Sequence, residues 1–159
     1  MSEKECGTRM LHSPFGSVGV VEEDGAITKL VWSGEGRGYT THVADEAIRQ
    51  LEAYFAREIT AFDLPLAPRG TPFQQQVYAQ MRAIPIGETR TYSDLASNLE
   101  VAPQSVGQAC GSNPIPIIIP CHQVVGTDGL GGFSAPGGVE TKIKLLRFEG
   151  SNPQNLVTM

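Results

Sequence analysis

A chain of 159 residues, 40% hydrophobic and 18% charged, suits one ordinary domain or two small ones, and its longest aliphatic run, residues 117–119, excludes a membrane-spanning helix of about 20 apolar residues. Residues 1–5 lack the apolar stretch of a secretory signal and three cysteines cannot close a disulfide framework, so the thiols are expected reduced and the protein cytoplasmic. The net charge of −5 lies in residues 1–68, with 11 acidic against 6 basic side chains; residues 69–159 balance 6 against 6, so that half can approach a phosphate backbone without strong non-specific attraction.

Residues 19–21 and 27–32 read as two short strands around the turn at Glu23, Asp24 and Gly25. Ala44, Ile48, Leu51 and Phe55 recur at helical spacing and predict an amphipathic helix over about 43–57. His12 and His42 stand alone and read as surface residues. Two prolines and a glycine between Leu64 and Gly70 break the periodicity, which gives an α+β chain with a first domain over 1–67 and a second over 71–150.

The second half opens on a helix start: Thr71 as N-cap, Pro72 at the first position and Gln74 completing a capping box. Phe73, Val77, Met81 and Ile84 form its apolar stripe. Thr91 and Asp94 make a second box before Leu95, Ala96 and Leu99, and a third short helix is expected over 103–110, stopping at Gly111. Three short helices with tight connections are compatible with a helix-turn-helix. Residues 115–125 form an apolar, β-rich run with Cys121 and His122 set inside it. A loop over 126–138 with 6 glycines follows, then a last helix with Val139, Ile143 and Leu146 on one face, capped at Glu149 and Gly150. Residues 151–159 read as a frayed tail.

Cys121, between Pro120 and His122, is the most informative feature. A histidine within reach of a thiol raises its thiolate fraction, and the histidine needs an orienting acceptor, for which Glu149 is one of several candidates by spacing. Against this, cysteines in apolar runs are mostly inert core residues, and neighbours on a strand point to opposite faces. A cysteine hydrolase, a thiol transferase and a metal site all stay open, although no C-x-x-C or H-x-x-x-H pair supports zinc.

The segment Pro120-Cys-His-Gln-Val-Val125, with Asn113-Pro-Ile-Pro-Ile-Ile-Ile before it and Gly132-Phe-Ser-Ala-Pro-Gly-Gly and Lys142-Ile-Lys-Leu-Leu-Arg-Phe-Glu-Gly150 after it, resembles the O6-alkylguanine-DNA alkyltransferases. Gly70-Thr-Pro-Phe-Gln-Gln-Gln-Val and Ile86-Gly-Glu-Thr-Arg-Thr-Tyr-Ser-Asp-Leu-Ala96 resemble the same family, as do, more weakly, Ser13-Pro-Phe-Gly16 and the 43–57 helix. The resemblance implies an N-terminal ribonuclease-H-like α/β domain followed by a C-terminal winged-helix domain. It implies that a base is flipped from duplex DNA and that Cys121 takes the alkyl group of O6-alkylguanine irreversibly, with neither cofactor nor metal. His122 would act as base through water, Glu149 would orient it, and Asn113 would tie the turn before the nucleophile. Tyr92 would protonate the leaving guanine, and Ser134 and the backbone at Val125 would bind its edge. Gln104, Ser105 and Gln123 would face DNA. The partner would be double-stranded DNA with O6-alkylguanine, or also O4-alkylthymine, met by a monomer away from any membrane.

Two positions depart from the family pattern: Gln104 and Gln123 stand where arginines are usual. Glutamine brings no charge, so duplex affinity and base flipping are expected to weaken while the thiol chemistry is untouched. A non-transferring relative that only senses damaged DNA and a hydrolase built on Cys121, His122 and Glu149 are the alternatives.

Overall fold

Three antiparallel strands open the computed structural model, which describes residues 6–127 and 129–151. Strands β1 (Cys6–Ser13), β2 (Gly16–Glu23) and β3 (Ala26–Val31) are joined by β4 (Arg37–Gly38) in the order β3-β2-β1-β4. The turn at Asp24 and Gly25 has both residues at positive φ, 51° and 81°, the backbone that a two-residue hairpin requires. Helix α1 (His42–Phe55) starts at Thr41, whose side chain accepts from the Val43 N–H. Its Ala44, Ala47 and Leu51 are buried, as are Val18, Val20 and Ile27 of the sheet. Sequence reading missed β1, because Gly7, Arg9 and His12 blur its alternation; pairing with β2 on one side and β4 on the other makes it a strand. His12 and His42 are exposed, as expected.

The described residues divide into two compact units, one up to Arg69 and one from Gly70. The second contains helices α2 (Pro72–Arg82), α3 (Tyr92–Leu99), α4 (Pro103–Gly111) and α5 (Val139–Phe148), with β5 (Arg90–Thr91) paired in parallel to β6 (Val124–Val125). Both capping boxes form as the sequence predicts: Thr71 with Gln74, and Thr91 with Asp94. Val77, Met81, Val106, Ile115, Ile119 and Leu145 are fully buried. The whole is a mixed α/β fold. Among the described residues no helix is long and apolar enough to cross a membrane.

Three expectations need correction. The run 115–125 is not a strand. Ile117 sits at φ 70°, Ile118 N–H donates to Pro116 O at 2.8 Å, and Cys121–Gln123 form one 3-10 turn before the short β6. Pro116 and Pro120 have no N–H to give a ladder, so extended pairing cannot pass through them. Val139 does not share the buried face of α5; it is 40% exposed, and Lys142 is buried there beside Leu145 and Leu146. Ser151 is not frayed: its hydroxyl donates to Gly87 O and its N–H to Leu146 O, both at 2.8 Å. The remainder of the expected tail, 152–159, lies outside the described residues.

Candidate active site

Cys121 opens the 3-10 turn, and its own N–H donates to Ile119 O at 2.8 Å. That carbonyl also accepts from Asn113 Nδ2 at 2.7 Å, while Asn113 Oδ1 takes the Ile115 N–H at 3.0 Å. One buried amide therefore closes both ends of the 115–119 loop and fixes where the nucleophile begins. The Cys121 side chain borders a cavity of about 440 Å³ lined also by Tyr92, Gly107, Cys110, Gly111, Gly132, Phe133 and Ser134.

Burial pushes the Cys121 thiol up. Hydrogen bonding from Asn113, the Lys142 charge and the backbone N–H groups of Cys121 and His122 oppose this in part, and the thiol stays above its ordinary value. Cys110, the other thiol in the cavity, is pushed up to about 12, chiefly by burial and then by Cys121, with only the Lys142 charge opposing. It stays a neutral thiol, and its hydrogen bond goes to Met81 Sδ at 3.6 Å. The site thus contains two thiols but donors for one thiolate.

His122 is fully buried, and its Nε2 lies 2.8 Å from Glu149 Oε1, across 27 residues of sequence. Its other ring nitrogen, Nδ1, has no hydrogen-bond partner among the described residues. The pair consists of a carboxylate, an oriented imidazole and one ring nitrogen left for a proton. Tyr92, at the first position of α3, borders the cavity half-buried. Burial foremost, then Cys110 and Cys121, push its hydroxyl up to about 12 against a Gly132 backbone hydrogen bond, so it remains protonated. Gly131 has φ 73°, and a Cβ there would lie 2.7 Å from the Tyr92 hydroxyl oxygen; only glycine lets this loop close over the ring.

Lys142 is a buried charge near the cavity that sequence reading missed. It is fully buried, and its Nζ donates to Val124 O at 2.7 Å, Leu130 O at 2.5 Å and Gly132 O at 3.0 Å. Three donors meet three carbonyls and pin both ends of the loop that borders the cavity. Burial pushes its ammonium down to about 8, the neighbouring thiols opposing, which leaves it charged at neutral pH. The sequence signal was a lysine spaced three and four residues from Leu145 and Leu146, on the stripe facing the core.

The structure thus brings Cys121, Tyr92 and Ser134 together around the cavity, joins His122, the next residue, to Glu149, and bonds Asn113 to the carbonyl that accepts the Cys121 N–H. Val125 is buried in β6, paired opposite Thr91. Gln104 is exposed at the start of α4, and Ser105 lines a separate depression with Thr71 and Phe73. Gln123 does not face outward as a DNA-contacting residue would. It is 3% exposed, and its amide donates to Pro85 O at 2.6 Å and Glu88 O at 2.8 Å. Both amide hydrogens are spent on backbone, and burial keeps the rest of the side chain from any surface. Among the described residues no cluster of three His, Cys, Asp or Glu could hold a metal ion.

The family described as "6-O-methylguanine DNA methyltransferase, DNA binding domain" matches residues 72–151. A methylated-DNA–protein-cysteine methyltransferase of Methanosarcina acetivorans is 50% identical over 109 residues, 67% of this chain and 69% of that protein. One of Mycolicibacterium paratuberculosis is 38% identical over 151 residues, 89% of this chain and 90% of that protein. A crystal structure of Mycobacterium tuberculosis OGT in complex with DNA superposes with a TM-score of 0.78 at 37% identity, covering 89% of this chain and 92% of the other.

Proposed function

This chain belongs to the methylated-DNA–protein-cysteine methyltransferase family, and on that premise we propose that it repairs alkylated DNA by taking the alkyl group of O6-alkylguanine irreversibly onto Cys121. The observation that carries the assignment to Cys121 is the buried His122–Glu149 pair beside a cavity that holds this thiol. His122 Nδ1 takes the thiol proton through a water, and Glu149 stabilises the resulting imidazolium. The thiolate attacks the alkyl carbon in line: the S–C bond forms, the C–O6 bond breaks, and its electron pair stays on the base. Tyr92 donates its proton to N3 as that charge develops and regains one from the His122 imidazolium through water, so that in sum the base gains one proton and the thiol loses one. The product is a thioether, which no group in the site can hydrolyse, so each molecule acts once without cofactor or metal.

The four-stranded sheet with α1 supports a ribonuclease-H-like first domain over 1–67. Helices α2 to α4 with the β5–β6 pair support a winged-helix domain over 71–150, with α4 as recognition helix presenting Gln104 and Ser105 to double-stranded DNA. The cavity, with Ser134 in its lining, suits a flipped base, whose edge we assign to Ser134 and the backbone at Val125. We place the protein in the cytoplasm as a monomer, with O6-alkylguanine in double-stranded DNA as its substrate.

The test is a mass measurement after exposure to an oligonucleotide with O6-methylguanine. One methyl group per chain, mapped to Cys121 and absent from Cys121→Ser, is the expected result. A methyl group on Cys6 or Cys110 instead would sink the assignment, and repeated turnover on an ester would favour the hydrolase.

A further inference from the structure

The turn at residues 85–88 lies outside the cavity and carries no reactive group, yet both halves of the His122–Glu149 pair are tied to it. It is a closed turn: Glu88 N–H donates to Pro85 O at 3.1 Å, and Gly87 has φ 84°. Positive φ at the third residue is the mark of a type II turn and selects glycine. Three of its four carbonyls accept side-chain donors. Gln123, the residue after His122, gives its amide hydrogens to Pro85 O and Glu88 O at 2.6 and 2.8 Å. Ser151, two residues after Glu149, gives its hydroxyl to Gly87 O at 2.8 Å. The chain at Glu149 also packs directly on the turn, since a Cβ added at Gly87 would lie 3.1 Å from Glu149 O.

We propose that the 85–88 turn is the template that sets the His122–Glu149 geometry, with Gln123 and Ser151 as its positioning residues. The physical need is plain. His122 and Glu149 sit on separate elements, a single 3-10 turn and the end of α5, and one 2.8 Å contact cannot define the angle of both side chains. A common backbone anchor on each side removes that freedom. Neither residue touches substrate in this account, so both act through the pair. The proposal rests on the transfer reading for its rates but not for its geometry.

The experiment uses the full chain with Gln123→Glu, Ser151→Ala and Gly87→Ala, each alone and combined with Glu149→Gln. A carboxylate at 123 faces two carbonyls with no donor; Gly87→Ala meets both the positive φ and the Glu149 carbonyl. Single-turnover transfer is expected to fall about tenfold in Gln123→Glu and Gly87→Ala and about threefold in Ser151→Ala. In the Glu149→Gln background each further loss should shrink below about twofold, because the geometry being set is already gone. The Gln123→Glu deficit should also narrow as pH falls and the new carboxyl gains a proton to donate. The NMR resonances of the His122 ring should shift in the same direction in Ser151→Ala as in Glu149→Gln, and this readout needs no transfer. Full losses persisting in the Glu149→Gln background, or unmoved His122 ring resonances in Ser151→Ala, overturn the proposal. Should Gln123→Glu fail to fold, Ser151→Ala and Gly87→Ala decide it. If Cys121 takes up no methyl group the transfer reading fails, and the ring resonances still judge the template.

Discussion

Two buried carboxylates, one in each unit, show what separates a structural acid from a reactive one. Glu22 in β2 is fully buried and accepts from Thr41 N–H at 3.0 and 3.2 Å, Thr41 Oγ1 at 2.8 Å and Ala44 N–H at 2.9 Å. All of these donors come from the start of α1, where free N–H groups and the helix dipole favour a negative charge. Nothing in that network can pass a proton on. Glu149 instead meets an imidazole at 2.8 Å whose second nitrogen is left open. Desolvation is comparable; what differs is saturation. A closed network holds the fold, and a network with one open end beside a thiol can do chemistry.

That contrast can be broken most directly by making the same change at both acids. Glu149→Gln is expected to slow single-turnover transfer about a hundredfold or more, with a thermal midpoint close to wild type. His122→Ala should cost a similar factor, and the double change little beyond the larger single loss, as for groups that act as a unit. Clean multiplication of the two losses would show that they do not share one network. Glu22→Gln should do the reverse. It turns amide hydrogens toward donors at Thr41 and Ala44 and should lower stability by about 3 kcal/mol, while the folded fraction transfers at the wild-type rate. A transfer defect in folded Glu22→Gln would erase the distinction.

Lys142 sharpens the comparison as a buried cation whose donors are all used. In the fold its ammonium is pushed from 10.5 down to about 8, so the unfolded chain binds more protons between those values. The cost of burying the charge is therefore present in full below pH 8 and relieved as pH rises toward 10.5. Measured as the difference from Lys142→Met, in which the other titrating groups cancel, wild-type stability should rise across this window by at most about 3 kcal/mol. A flat difference would show that the three carbonyls hold the proton throughout. The same substitution should slow transfer, since the loop between Val124 and Gly132 loses its clamp.

The smallest effect is expected at Gln104, exposed at the start of α4. Gln104→Arg should steepen the salt dependence of duplex binding by about 0.9 in log–log slope and tighten it several-fold. Transfer from free O6-benzylguanine, which needs no flipping, should hardly change. If Gln104→Arg leaves duplex repair unaltered, or slows both substrates alike, position 104 does not meet the vacated stack.

What the sequence determined by itself is what depends on neighbours along the chain. The two capping boxes are closed by residues three apart, Thr71 with Gln74 and Thr91 with Asp94, so helix starts at 72 and 92 were legible. The pattern around Cys121 identified the family because its residues are contiguous. Tertiary structure alone decided the partners that lie far apart. Glu149 was one acid among several until folding brought it to His122 across 27 residues. Gln123 read as a DNA contact until its amide was found on carbonyls 38 and 35 residues away. Lys142 drew no assignment from the sequence, and only folding closed three carbonyls and the core round it. The reason is physical: a local hydrogen bond needs only the right residue at a fixed offset, whereas the worth of a buried charge or amide is set by what desolvates it and what remains to pair with it.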